Sequence, residues 1–374
     1  MPPAARSRID SRQRTPLVWI VVLGLLTLAW SGGCASRMAE LRSVPRSPLV
    51  DRLKLTARGG PRPSDRTQQF LRVHDLADEL GGDPQALLAD VQAVVNQSPT
   101  AENIYSLAEL AYLSGKKVEL LDPRLAMDFY GMSAMHAYQY LFDRRFSGVR
   151  NPYDPQFRGA CDLYNGALES ALRIVCRREK LIPGETYKIQ TAQGSWEIAC
   201  VLRAGRWRKE DFDHFEFVSD YEVRGLPNHY RTYGLGVPLI AVRRRYQGEP
   251  AAAKYYPENL TFPVTALLRP NLAVDPRQAN ATGIHHAVLE LYDPLAGTDV
   301  VLEGIRAPLE SDLTTPMAYF LDDSQLGSLN TLGLLRPGAL LENAGGSKTP
   351  LAGLYMAQPY EPDKIKAMIE KLAA

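Results

Sequence analysis

Between Thr67 and Val175 apolar residues recur every three or four positions, the spacing of one buried helix face. Phe70, Val73, Ala77 and Leu80 form a first stripe, which the pair Gly81-Gly82 is expected to end. Asp83-Pro84 then places a capping side chain before a proline at the first helical position. Leu87, Leu88, Val91, Val94 and Val95 make the apolar face that follows. A third stripe, Ile104, Leu107, Ala108, Ala111 and Tyr112, is expected to stop at Gly115. Asp122-Pro123 and Asp154-Pro155 start two longer segments, "DPRLAMDFYGMSAMHAYQYLF" and "DPQFRGACDLYNGALESALRIVCRR". Small residues on these faces, among them Ala108, Ala111, Ala134, Ala137, Ala167 and Ala171, predict close antiparallel helix packing.

After Glu179 the period changes from helical to alternating. "ETYKIQTAQGSWEIACVL" alternates about a Gln-Gly step, the signature of a hairpin. "HFEFVSDYEVRGL", "VPLIAVRRRYQ", "FPVTALLRPNL" and "HHAVLELYDPL" are short, rich in β-branched and aromatic residues, and bounded by Gly, Pro or Asn. "DVVLEGIRAPLESDLTTPMAYFL" adds a strand and a short helix from Thr315. No long helix separates these strands, so the sheet is expected to be mostly antiparallel. The predicted class is α+β: an N-terminal antiparallel helical bundle, then a β-rich domain. The spacing of Leu107, Ala108, Tyr112 and Ala126 resembles a degenerate tetratricopeptide unit. The expected organisation is a signal peptide over 1–33, a tether over 34–66, a helical domain over 67–180, a β-rich domain over 181–360 and an amphipathic helix over 361–374.

Composition narrows the function classes little. Lys and Arg number 43 against 42 Asp and Glu, so no global charge favours nucleic acid, and no nucleic-acid partner is expected. The N-terminus is more informative. Arg6, Arg8, Arg12 and Arg14 precede an apolar run from Leu17 to Trp30, followed by "SGGCASR". A basic region, an apolar core and small residues make an export signal. Gly32, Gly33 and Cys34 are similar to bacterial lipoprotein signals, in which the Cys is lipidated and becomes the new N-terminus. Ser31 departs from that pattern, where an aliphatic residue is usual. The resemblance implies lipidation at Cys34, a membrane partner through that anchor, and a place in the cell envelope outside the cytoplasmic membrane. Ala35 follows the Cys, which leaves the outer or the inner membrane open. The alternative is an uncleaved anchor, although the run is shorter than the ~20 residues of a membrane span.

The remaining cysteines are Cys161, Cys176 and Cys200. Cys161 and Cys176 fall on one predicted helix, roughly 22 Å apart and beyond disulfide reach. Bridges from either to Cys200 stay open, and buried free thiols are the favoured reading.

Candidate chemistry is sparse. There is no G-x-S-x-G elbow, "GGSKT" at 345–349 being the nearest, and no P-loop, dinucleotide fingerprint or H-E-x-x-H motif. "DFDHFE" is expected to place Asp211 and Asp213 on one strand face and His214 and Glu216 on the other, which prevents a shared metal. His285 and His286 open a strand and are expected to point to opposite faces. Arg243-Arg244-Arg245 is expected at a solvated strand edge, with anionic lipid as the alternative. "NAT" at Asn280 matches a glycosylation sequon. No catalytic, metal or cofactor residue is assigned from these patterns.

Several stretches together carry a further resemblance: "SPLVDRLKLTARGGPRPSDRTQQFLRVHDL", "ACDLYNGALESAL", "YGLGVPLIAVRR", "FPVTALLRP", "LELYDPL", "PLESDLTTPMAYFL" and "GLYMAQPYEPDKI". Their order and spacing, from about Ser47 to Ile365, resemble the long N-terminal region of bacterial lipoprotein α/β-hydrolases of the lipase and esterase type. In that family the segment similar to "PYEPDKI" leads into the oxyanion loop, and the catalytic triad follows. No position here matches those residues. The resemblance therefore implies a non-catalytic accessory module, with an envelope protein or a hydrolase as partner. Two alternatives stay open: a hydrolase using an unrecognised site at His214, His285 or His286, and a helical-repeat scaffold binding an envelope protein. The ending, "LYMAQPYEPDKIKAMIEKLAA", closes with Ile365, Met368, Ile369 and Leu372 on one helical face.

Overall fold

Proline fixes where the helices begin. The structure, a computed structural model, describes residues 39–323 except 59–60, 193, 204–206, 225, 227, 245–259 and 271–283. Helices α1 (Pro48–Arg52), α3 (Pro84–Gln97), α5 (Pro123–Phe142) and α6 (Pro155–Cys176) each start on a proline behind a Ser or Asp cap. Ser47, Asp83, Asp122 and Asp154 each accept a hydrogen bond from an amide of the first helical turn, which would otherwise lack an acceptor. Thr100 caps α4 (Ala101–Val118) in the same way. The stripe from Phe70 to Leu80 divides into α2 (Asp65–Val73) and a separate 3-10 turn, Ala77–Gly81.

Gly115 does not stop α4, as the sequence pattern suggested; the helix runs three residues further. A Cβ at Gly115 would lie within 2.8 Å of the Tyr130 ring, so the glycine admits a neighbouring tyrosine. Helices α3, α4, α5 and α6 pack on one another in chain order. Tyr105, Tyr112, Tyr130, Tyr138, Tyr164 and Phe129 are fully buried among them, alongside Ala108, Ala111, Ala126, Ala137 and Ala167. Large rings against small residues let helix axes approach without voids.

The six-stranded sheet has the order β2-β3-β9-β8-β7-β4, comprising β2 (Thr186–Gln190), β3 (Ser195–Leu202), β4 (Phe212–Phe217), β7 (Val237–Arg243), β8 (Thr261–Pro270) and β9 (Ile284–Tyr292). Every neighbouring pair is antiparallel except β3 with β9, which run parallel. The β2–β3 hairpin closes at Gln190 and Ser195, as its alternation predicts. The class is α+β. Smaller pairs flank the sheet: β1 (Ala39–Leu41) with β5 (Tyr221–Val223), β6 (Arg231–Thr232) with β12 (Ser311–Asp312), and β10 (Asp299–Leu302) with β11 (Ile305–Pro308). Helix α7 (Thr314–Asp323) packs on β7 and β8. Asp312 fixes its start by accepting from the Thr314 and Thr315 amides while paired with Arg231 at 2.5 Å.

Helices and sheet share one apolar core. Val237, Leu239 and Ala241 of β7 contribute to it, while Ile240 and Val242 are buried on the opposite face, as the two-residue period requires. Specific contacts fix the seam. The Tyr164 hydroxyl donates to the Leu268 carbonyl. Asn165 donates to the Gly234 carbonyl and accepts from the Gly236 amide. The Trp196 ring lies where a Cβ on Gly131 would stand, 2.9 Å away. The helical and β-rich segments thus belong to one compact unit spanning Met38–Ser324. The segment expected as a tether over 34–66 is built into that unit from Ala39 onward: β1 pairs with β5, and Leu49 and Leu53 are buried. The segments 1–33 and 361–374 lie outside the described residues.

The close approach of Gly234 to β11 offers a test. A Cβ there would run into the Pro308 carbonyl group, which is backbone and cannot rotate away. Gly234→Ala is expected to lower unfolding stability by about 2–3 kcal/mol in urea titration, the range of overpacked sites. Gly81→Ala, which meets no atom within 4 Å, should change it by less than about 0.5 kcal/mol.

Candidate functional site

His214 sits in a carboxylate cluster that the strand pattern conceals. On β4, Phe212 pairs with Arg243 and His214 with Val242, so Asp213 is an extra residue at a bulge. The bulge breaks the alternation expected for "DFDHFE". Asp213 and His214 meet, with Nδ1 2.8 Å from Asp213 Oδ2, and His214 Nε2 lies 3.5 Å from Glu216 Oε1. The expectation that Asp213 lies on the face opposite His214 is therefore corrected, whereas His214 and Glu216 lie together as expected. Lys180 and Arg244 approach Asp213 at 3.8 and 4.0 Å. Hydrogen bonding to His214 holds the Asp213 carboxyl below its usual range, and burial raises that of Glu216. Asp211 is elsewhere: its carboxylate accepts from the Arg208 amide and closes a 3-10 turn.

A general base needs a free ring nitrogen within about 3 Å of the proton it takes. Here each imidazole nitrogen faces a carboxylate, so the arrangement orients the ring without offering it to a substrate. Among the described residues no group of three or more His, Cys, Asp or Glu side chains is arranged to hold a metal ion.

The other histidine candidates also go to neighbours. In the parallel β3–β9 register His285 lies beside Trp196 and His286 beside Glu197. The His285 ring stacks on Trp196 at 4.8 Å, and burial lowers its pKa. On the other face His286 Nδ1 lies 3.3 Å from Glu197 Oε2, while Lys188 meets Oε1 of the same carboxylate. The two histidines do not act on one point.

The three described cysteines are free thiols. Burial pushes Cys161 and Cys200 up to about 12 and raises Cys176, the reverse of what a thiolate nucleophile needs. Arg243 is buried rather than at a solvated edge, and Arg244 approaches the Asp213 cluster. Cys34, Asn280 and the "GGSKT" stretch lie outside the described residues.

Two clusters of buried charge among the described residues were passed over by sequence reading. On β9, Glu290 is 1% exposed and sits between Arg203 at 2.7 Å and Arg269 at 3.2 Å, with the Tyr292 hydroxyl donating to it. At the seam between α6 and the sheet, Asp162 is held by Arg158 at 2.7 Å and by Arg52 at 3.8 Å. Arg158 also meets Glu310, whose carboxylate accepts from the Gly234 amide, and Arg52 donates to the Tyr105 hydroxyl. Each cluster joins segments distant in sequence; Asp162 and Glu310 are matched by Arg158 and Arg52, while Glu290 faces two guanidinium groups. A cleft of about 230 Å³ beside the β2 edge is lined by Met127, Ile174, Val175 and Ile189, with Arg124, Arg178 and Lys188 at its margin.

Two measurements probe these groups. Arg203→Met or Arg269→Met alone should cost little, since the other arginine remains. The double variant leaves Glu290 buried with only Tyr292, and should lose about 3 kcal/mol or more in urea unfolding, well beyond the sum of the single changes. Burial pushes His136 down to about 4. Below pH 6.5 the unfolded chain then takes up a proton that the folded chain refuses, so His136 costs stability as pH falls from 6.5 toward 4. His136→Gln should therefore lose less stability than the parent over that interval in denaturant titrations. No protein-family model, no curated protein and no solved structure matches the chain.

Proposed function

We propose that this chain is a lipid-anchored envelope protein whose folded unit is a non-catalytic binding module, related to the pre-catalytic region of lipoprotein α/β-hydrolases. The observation that carries the reading is the N-terminal series of Arg6 to Arg14, the apolar run from Leu17 to Trp30, and Gly32-Gly33-Cys34. Support for a binding role comes from the ionisable groups. The His214 nitrogens both face carboxylates, His285 stacks on Trp196, and the described thiols are held protonated. No described helix is long and apolar enough to cross a membrane, so an attachment to lipid rests on the N-terminal segment. The apolar faces of α3–α6 are spent on one another and on the sheet, so a partner would meet the surface of the joined unit and not a helical groove.

The test is chemical. Cells fed a labelled palmitate analogue should label the full-length protein, and Cys34→Ala should abolish the label. Protein extracted from those membranes should leave nitrophenyl butyrate intact and fail to react with a fluorophosphonate probe. Probe attached to a serine would replace this reading with the hydrolase one.

A further inference from the structure

We infer that the loop from Leu41 to Arg46 is a membrane-docking surface, inserted at the lipid interface when the chain is anchored. The inference deepens the anchored reading above and rests on it. Only Ala35, Ser36, Arg37 and Met38 separate Cys34 from β1. Five peptide units reach at most about 18 Å. A globular unit of this length has a radius of gyration of about 19 Å, so such a leash cannot let it tumble clear of the bilayer. The face that carries β1 must stay near the lipid.

The loop beyond β1 is held to the body and displays apolar side chains outward. Its backbone is fixed at both ends, the Arg42 amide donating to Asp220 O at 2.7 Å and the Arg46 amide to Ser219 O at 2.9 Å. Arg42 also donates from Nε to the Tyr221 carbonyl. Leu41 and Val44, on this pinned segment, are 74% and 51% exposed. Apolar side chains on a rigid exposed loop cost free energy in water and gain it at an acyl boundary. Charges nearby are close to balanced. Arg42 and Arg224 meet Glu222 at 3.9 and 3.8 Å, and Arg224 meets Glu40 at 2.9 Å, which leaves Arg46 as the exposed cation of the loop. Insertion of Leu41 and Val44, rather than attraction to anionic headgroups, is therefore the assigned mode. The first residue of β1 also touches the end of α7, its Ala39 amide donating to Asp322 Oδ2 at 2.5 Å, so the described chain both starts and finishes beside this surface.

Depth-dependent quenching tests the assignment. The anchored full-length protein, in a Cys176→Ser background, carries a bimane label at Leu41→Cys, Val44→Cys or Leu120→Cys. Leu120 is 87% exposed on the α4–α5 turn and serves as reference. In floated vesicles holding shallow nitroxide lipids, the labels at 41 and 44 should be quenched several-fold more than the label at 120, in neutral and anionic vesicles alike. Flotation with equal quenching at all three positions overturns the docking inference and leaves the anchor standing. Quenching that needs anionic lipid overturns the apolar mode. Protein that neither floats nor carries an acyl group at Cys34 overturns the anchored reading and the docking with it.

Discussion

The helical layer lies directly on the sheet, and that shared core is the constraint the rest of the unit obeys. The buried rings of Tyr112, Tyr130, Tyr138 and Tyr164 fill the space between helices, and the Tyr164 hydroxyl reaches the Leu268 carbonyl of β8. A buried hydroxyl without such an acceptor would cost about 1–3 kcal/mol, so the contact fixes register as well as area. Asn165, placed one residue later, satisfies two backbone groups of the turn that leads into β7. The helices thereby set where β7 begins, and β7 in turn carries β4 and β8.

The buried charges of the described residues are arranged around that core. Glu290 is tolerated at the centre of the sheet because two guanidinium groups and a phenol compensate its lost hydration. Asp162 and Glu310 share Arg158, and burial raises both carboxyls against that attraction. Their folded state binds protons more readily than the unfolded chain does, so their contribution to stability declines as pH rises through the raised values. Such clusters join α6 to the strand segments that follow it, which favours one docking geometry over alternatives of similar apolar area. The half-buried Asp213, His214 and Glu216 group follows another logic, in which a bulge at a sheet edge turns neighbouring side chains toward each other.

The N-terminal arm from Ala39 is part of the architecture. Its strand and first helix are ordinary parts of the fold, with Leu49 and Leu53 as fully buried as any helix residue. An anchor at Cys34 would therefore hold a structured surface, and not a loose chain end, against the bilayer.

Local rules in the sequence determined a large share of this fold. Asp or Ser before Pro marks four helix starts, because proline presets φ and the short side chain accepts a first-turn amide. Alternation identified the β2–β3 hairpin and strands β7 to β9, because burial on a pleated surface has a period of two. What depended on distant partners was not legible. Gly115 looks like a stop until Tyr130, fifteen residues on, is seen to occupy its missing Cβ. The burial of Arg243, the parallel pairing of β3 with β9 and the bulge at Asp213 likewise follow from contacts formed only when the chain folds. The proposed signal around Cys34 is different again: the features that suggest it lie side by side along the chain, so it is read from local composition alone.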